Sequence, residues 1–367
     1  MRRRVAGGLL AALSLALAGC AGDAGTRARL QPDVVAGSRS GTIEVSVDRR
    51  IELLSVIQLL SGYFLTTQHD TTYKREVASY FAPHANHRAV TLFREMSAGD
   101  FRFSDVPDAV LRFSPPPALD QRMPITPAIA AAAGGEARLL ELIAAMRDFA
   151  QVSDFESFYR AHEGEYRTLA ERARPGVTTL GLDLQSYTGQ RIDHAAVVLG
   201  PLLHDGGFAA LYDLPGGRAE AFAFIGPAAA TQGQPDFGDE RRLSELAAHE
   251  FAHLVVNPLT AASRADIDAS AANLAPIARA MQRNGYSEWH VAVSEHVIRG
   301  LTARLIARRW GEAEGEAAIR KEVEGGFAYA PAVYAALRRY EADRATYPTL
   351  AAFYPELIAV FAAPLTS

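Results

Sequence analysis

The sequence predicts an α+β fold, and three observations predict it. Apolar residues recur at helical spacing over most of residues 48–173. Four short apolar or alternating stretches follow, near 178–186, 192–199, 207–213 and 219–225, separated by Gly, Pro and Asp in the manner of a small, mostly antiparallel sheet. Helical spacing then resumes at Leu243 and continues to the end. Helices, then a sheet, then helices is the order of an α+β domain rather than of an alternating α/β one. The composition agrees: 367 residues, 49% hydrophobic and 22% charged, are the proportions of an ordinary globular protein. They exclude a disordered tail, a collagen-like fibre, a coiled-coil rod and a disulfide-stapled mini-protein. A formal net charge of -5 argues against a broad nucleic-acid footprint.

The first residues read as an address. Met1 is followed by Arg2, Arg3 and Arg4, an apolar run from Val5 to Leu17, and Leu17-Ala18-Gly19-Cys20. A basic start, a short apolar stretch and small residues at its end form a secretory signal. The run is shorter than the roughly 20 residues a spanning helix needs. The tetrapeptide resembles the bacterial lipobox, which implies cleavage after residue 19 and lipidation of Cys20. Several acyl chains would give stable anchoring where one gives marginal binding. Ala21 follows, where an Asp would resemble an inner-membrane retention signal, so the outer membrane of a bacterial envelope is the favoured location. Loss of residues 1–19 removes three Arg and no acids, leaving 34 basic against 42 acidic residues, a net -8. Cys20 is also the single Cys, so no internal disulfide can form. Residues 20–41, rich in Gly, Ala, Ser, Asp and Arg, read as a tether reaching roughly 25 Å.

The domain itself is expected over 42–367: a helical part at 42–175, a sheet and motif-bearing helix at 176–258, and a helical part at 259–367. It opens on a strand, Ile43-Glu44-Val45-Ser46-Val47, after which Asp48 caps a helix carrying Ile51, Leu54, Ile57, Leu59 and Leu60. Further helices are expected at about 71–81, 87–97, 135–151 and 154–173. Pro83, Pro115-Pro116-Pro117 and Pro175 act as breaks. After the sheet, helices are expected at 240–256, 272–283, 287–309, 314–324, 331–343 and 349–361.

His249-Glu250-Phe251-Ala252-His253 is an H-E-x-x-H sequence within an uncharged run. Residues four apart share a helical face, so His249 and His253 can direct two imidazoles at one ion, and neutral imidazole is a good ligand for Zn²⁺. Glu250, one residue along, is placed to act as general base on a water and to pass the proton to a leaving amine. The arrangement resembles zinc peptidases of the zincin type. Val256 and Leu259 occupy the places where the metzincin pattern needs Gly and His. The gluzincin pattern takes a Glu from a later helix, and Ser287–Arg299 supplies candidates. Glu295, mid-helix between Ser294 and His296, is the leading third ligand. Glu288, Asp266, Asp268, His290 and His296 are the alternatives. Arg299 stands where gluzincins commonly carry an acid, and would hold a substrate carboxylate, steady Glu250, or pair with an acid elsewhere.

Taken together, Val47–Leu54, Tyr80-Phe81 with His87, and the His249–His253 motif followed by Asn257-Pro258 resemble the bacterial family called domain of unknown function 4932, over about residues 45–360. The resemblance implies the fold and metal-dependent hydrolysis of a gluzincin-like, zinc-dependent peptidase and supplies no substrate; a peptide or protein substrate is the expectation from the motif. Tyr329 and Tyr334, lying after the third ligand, are candidate oxyanion donors, with Tyr329 first. Asn257 and Pro258 are expected to end the motif helix. His84 and His87 are candidates to reach the cleft, with a structural role at a helix start the favoured reading for His87. His162 reads as a solvated helix face, His194 and His204 as core or loop residues, and Arg304, Arg308 and Arg309 as a solvated helix face. A non-catalytic envelope lipoprotein, using the metal or the helix bundle as a binding scaffold, is the competing reading. Replacing Cys20 with Ser should move the chain from the membrane to the soluble fraction and abolish its labelling by an alkyne-tagged fatty acid, read by fractionation and in-gel fluorescence. An unlabelled, soluble wild-type chain would refute the anchor.

Overall fold

A computed structural model describes residues 37–40, 43–190, 194–214 and 218–365. The expected signal sequence, Cys20 and the tether up to residue 36 lie outside the described residues. The described chain groups into two compact units, residues 37–175 with 194–240, and residues 176–190 with 241–365. Among the described residues no helix is long and apolar enough to cross a membrane.

The first unit contains a five-stranded sheet in the order β1-β2-β3-β5-β4, with β1 at Gly37–Ser40, β2 at Ile43–Ser46, β3 at His194–Leu199, β4 at Gly207–Leu214 and β5 at Arg218–Ile225. The tether expected to reach residue 41 therefore gives way to a strand at Gly37. The sheet is also mixed rather than mostly antiparallel. β2 pairs in parallel with β3, and β3 with β5, while β1 and β4 are antiparallel edges. The cause is connectivity: the parallel β2–β3 pair requires a long crossover, which the helices between Ser46 and His194 provide, and β5 runs parallel to β3 because β4 first returns the chain and pairs antiparallel with β5. A second hairpin, β6 at Ala229–Thr231 and β7 at Gln234–Asp236, was not expected from the sequence. Its two turn residues, Gln232 and Gly233, both have positive φ (53° and 78°), as a tight two-residue hairpin requires.

Around this sheet run α1 (Arg49–Ser61), α2 (Thr72–Tyr80), α3 (Arg88–Ser97), α4 (Asp105–Leu111), α5 (Pro127–Ala132), α6 (Glu136–Val152) and the first part of α7 (Phe155–Thr188). Asp48 caps α1 by accepting from the Arg50 N–H, and the His87 ring caps α3 by accepting from the Ala89 N–H. His87 thus has a structural role, completed by a 2.9 Å contact to Asp148. The seven- and six-residue helices α4 and α5 are too short to leave a periodic signature.

Pro175 does not break α7, and residues 178–186 are helical rather than a strand. Leu180, Leu182 and Leu184 alternate in sequence, which suggested β-structure. In the fold Leu180 and Leu184 are buried and Leu182 is exposed, and the buried stripe of Tyr166, Ala170, Ala173, Val177, Leu180, Leu184 and Tyr187 keeps helical spacing across the proline. Tertiary burial outweighs the single hydrogen bond that a proline removes.

The second unit is helical: the remainder of α7, then α8 (Glu240–Ala262), α9 (Arg264–Asp268), a 3-10 turn at Ala271–Ile277, α10 (Ala278–Arg283), α11 (Trp289–Trp310), α12 (Glu312–Glu324), α13 (Ala330–Ala342) and α14 (Leu350–Ile358). α8 runs past Asn257-Pro258, which were expected to end it, because Thr260 is buried one turn further on. α11 is the axis, buried without a break from Ala292 to Ala307. Gly300 lets α13 approach it: a Cβ there would lie 2.4 Å from Val333 Cγ1. Arg304 is not on a solvated face. It is buried, with a two-bond fork to Glu341 (2.8 and 2.6 Å) and a third bond to Glu312 at 2.7 Å, tying α11 to α12 and α13.

Two buried carboxyls in the first unit behave oppositely. Burial alone would raise the Asp48 carboxyl, but the Arg50 charge and its hydrogen bonds hold it below the usual range. Arg50 meets both Asp48 oxygens and also donates to the Leu111 and Phe113 carbonyls. Burial pushes Glu52 up from 4.5 to about 7, although Tyr73 donates a hydrogen bond to it. Asp48→Ala should cost about 3–5 kcal/mol, since it strands a buried guanidinium. For Glu52 the folded state binds the proton more tightly, so its destabilising effect grows as pH rises from 4.5 to about 7 and is constant above. Glu52→Gln keeps the acceptor for Tyr73 and removes that loss. It should be near neutral at pH 4.5 and stabilise by up to about 3 kcal/mol at pH 8, measured by urea unfolding at both pH values.

Candidate metal centre

The site lies within the second unit, on α8 and α11. The helical repeat of α8 places His249 and His253 one turn apart, with ring centroids 5.2 Å apart and planes at 77°. Glu295 projects from α11 between them. Its Oε2 is 3.8 Å from His249 Nε2 and its Oε1 is 3.5 Å from His253 Nε2. Two ligand atoms on a tetrahedral ion with bonds of about 2.0–2.1 Å lie roughly 3.3 Å apart, so both contacts are within about 0.5 Å of that edge. Among the described residues, His249, His253 and Glu295 form the group whose donor atoms converge closely enough to hold a metal ion.

Three hydroxyl-bearing residues hold α8 and α11 in register. Ser294, beside Glu295, donates to Thr260 on α8 at 2.8 Å, and Thr260 shares a 2.5 Å hydrogen bond with Tyr354 on α14. From the other side of α8, Ser244 donates to the Gly176 carbonyl of α7 at 2.5 Å. These bonds join neighbouring helices around the motif.

Burial sets the protonation of the site. It lowers the pKa of His249, helped by the positive charge of Arg299. It lowers that of His253 too, where Glu295 and Asn257, one turn further along α8, act in the opposite direction. Both imidazoles are therefore neutral near pH 7, the form that binds metals. Glu250 is pushed up to about 8 by burial and by the neighbouring Glu295 charge, against the pull of Arg299. Glu250 Oε2 and Glu295 Oε2 are buried and accept no hydrogen bond. An unpaired buried carboxylate oxygen is costly, and a cation among these donors would satisfy both. The residues fit a metal ion.

The other candidates separate cleanly. Glu288 is 63% exposed in its side chain and faces His290. Asp266 is exposed, and Asp268 pairs with Arg264 at 2.7 Å. His296, though buried, turns away: its Nδ1 bonds to the Ala292 carbonyl at 2.6 Å and its ring packs on Phe327, Tyr329 and Phe361. Tyr329 donates to the Ala363 carbonyl at 3.3 Å, and Tyr334 to Glu312 at 3.0 Å. Neither hydroxyl is engaged with the cluster. The hydroxyl that does neighbour Glu295 and Arg299 belongs to Tyr286, whose pKa burial and the Glu295 charge raise far above its ordinary 10. Tyr286 was missed because it precedes α11, in Asn284-Gly285-Tyr286-Ser287, outside any periodic element. Gly285, at φ 88°, makes the turn that aims it. Arg299 is 4% exposed. Its Nη1 donates to Glu322 Oε2 on α12 at 2.6 Å, and its Nη2 lies 3.5 Å from Glu295 Oε2. Of the roles expected for Arg299, pairing with acids is the one realised in these contacts.

The family described as Domain of unknown function (DUF4932) matches residues 117–360, well over half of the chain, and the protein belongs to that family. The matched range contains His249, Glu250, His253, Glu295 and Arg299. It begins after Val47–Leu54, Tyr80-Phe81 and His87, which seemed part of the resemblance in sequence. No curated protein and no solved structure matches the chain. Purified protein should retain one divalent cation per chain through dialysis, and His249→Ala, His253→Ala and Glu295→Gln should each lose it, measured by plasma mass spectrometry alongside circular dichroism. A metal-free wild type, or full retention in all three variants, would refute the centre.

Proposed function

We propose that the protein is a zinc-dependent, gluzincin-like peptidase, anchored through Cys20 in a bacterial envelope, outer membrane favoured, and acting on a peptide or protein substrate. The observation that carries this reading is Glu250. It is a buried carboxyl with one unpartnered oxygen, next to a convergent group of two neutral imidazoles and a carboxylate. Two nitrogen donors and one oxygen donor, with no thiol, suit Zn²⁺, and three protein ligands leave a fourth position open as catalytic sites do. When bound, the ion would acidify a water and polarise the scissile carbonyl.

This chain's residues would do the rest. Glu250 Oε2 accepts the proton of the attacking water and returns it to the departing nitrogen. A pKa raised to about 8 suits both halves of that task, and a cation nearby favours the ionised form that begins it. Tyr286, kept neutral by burial beside Glu295, takes the donor role expected of Tyr329, offering its O–H to charge that develops on the substrate oxygen. His249 is the most exposed of the three ligands, at 8%.

One observation favours the scaffold reading: no ligand exceeds that 8% exposure, as in closed structural centres. The two readings part on Glu250→Gln. A peptidase variant should keep its metal and its melting temperature while peptide-library hydrolysis falls by about 10²–10⁴-fold, and a chelator should abolish wild-type hydrolysis. Stoichiometric metal with no hydrolysis of any library member by the wild type would leave the scaffold reading in its place.

A further inference from the structure

We propose that Arg299 is a built-in countercharge, standing in for the metal ion beside Glu295 in the metal-free protein, and that Glu322 draws its charge away so that a metal can still bind. The inference rests on the metal-centre reading above. Glu295 is 2% exposed at the middle of α11, where an uncompensated carboxylate would cost several kcal/mol. The arginine that pairs with it is Arg299, one turn on along α11, with its Nη2 3.5 Å from Glu295 Oε2. Guanidinium stays protonated in proteins, so this countercharge persists at every accessible pH.

The geometry is that of a neighbour rather than of a committed partner. Arg299 Nη2 is 3.5 Å from Glu295 Oε2 and makes no hydrogen bond to it, so that oxygen remains open to a ligand. The strong bond goes the other way, from Nη1 to Glu322 Oε2 at 2.6 Å. The guanidinium also lies over the Phe327 ring, its Cζ 3.7 Å from the centroid, which fixes its plane through a cation–π contact. Glu322 is part-exposed, with 24% of its side chain accessible, so the relay runs from solvent through Glu322 and Arg299 to the ligand carboxylate. A bare arginine at this distance would repel a divalent cation. An arginine whose charge is shared with Glu322 repels it less. One residue can thus stabilise the apo site, and its partner can keep that stabilisation from blocking the metal.

The two residues therefore have separable signatures. In the full chain, Glu322→Gln, which keeps an acceptor for Arg299 Nη1 but not the charge, should weaken Zn²⁺ binding by about 10–100-fold, read by competition with a chromophoric chelator. Arg299→Met should lower the metal-free melting temperature by about 10 °C, and saturating Zn²⁺ should restore most of that loss, so the zinc-induced rise exceeds that of the wild type. Arg299→Lys, which keeps the charge but not the planar fork, should fall between wild type and Arg299→Met. A merely structural arginine would lower the zinc-free and zinc-loaded melting temperatures equally, and that result overturns the proposal. So does a Glu322→Gln chain with wild-type zinc affinity, a measurement that stands even where Arg299→Met fails to fold. A wild-type chain that binds no zinc overturns the metal reading itself, whereas zinc bound equally by wild type, Glu322→Gln and Arg299→Met overturns only the countercharge.

Discussion

A carboxylate buried in the middle of a helix is the constraint on which the second unit is built. Glu295 cannot be left alone at 2% exposure, and the residues packed around it answer that need. Two imidazoles from α8 face it, a guanidinium from its own helix flanks it, and a phenol from the loop before α11 lies beside it. Each answer imposes a further requirement. The imidazoles must stay neutral, which burial ensures. The guanidinium must itself be paired, which brings in Glu322 and the face of Phe327. The two helices must keep their register to a fraction of an ångström, which the Ser294–Thr260–Tyr354 hydrogen bonds provide. Polar groups inside a core are costly individually, but a connected set with defined directions fixes one arrangement of helices.

The parts of this arrangement that are local in sequence are legible there. H-E-x-x-H needs one turn of helix to become a chelating pair, and Asp48 needs one turn to become a cap. Glu295 is less local, yet an acid between Ser294 and His296, inside a helix that is otherwise largely apolar from Val291 to Ile298, marks itself as requiring a partner. The strands at β2, β3, β4 and β5 announce themselves by apolar runs between turn residues, although their parallel pairing depends on where the intervening helices return the chain. What sequence does not carry is any outcome decided by distant burial. Pro175 and Pro258 read as breaks because proline removes a hydrogen bond, and both are overridden by buried residues on the far side of the proline. Arg304 reads as a surface charge among other arginines until Glu341, Glu312 and the ring of Tyr334 enclose it. Tyr286 sits in no periodic pattern, and only the folded turn at Gly285 brings it to Glu295.

The first unit solves the same problem of buried charge by other means. Asp48 and Arg50 neutralise each other two residues apart and fill the remaining guanidinium donors with backbone carbonyls. Glu52, one turn from Asp48, is held by the hydroxyl of Tyr73, which in turn meets that of Tyr166 at 2.6 Å. Its carboxyl consequently holds its proton to about pH 7. Among the described residues, neither belongs to a group of His and carboxylate donors close enough together to hold a metal ion. The Asp48–Arg50 set is closed, whereas Glu52 keeps one buried oxygen without a hydrogen-bond partner.

The contrast with the second unit is one of charge balance. With both imidazoles neutral and its carboxylates ionised, the cluster of Glu250, Glu295, Glu322 and Arg299 carries three negative charges against one positive. Such an excess in a low-dielectric interior is unstable by itself. Burial pushes the Glu250 carboxyl up to about 8, and the neighbouring Glu295 charge adds to that rise. A divalent cation relieves the excess completely, since the remaining deficit is two charges. It would also meet the two carboxylate oxygens that have no hydrogen bond. A divalent ion held there would favour the ionised form of Glu250. Net charge and the two oxygens without hydrogen bonds both suit a divalent cation at this place, and a solvated helix face accounts for neither.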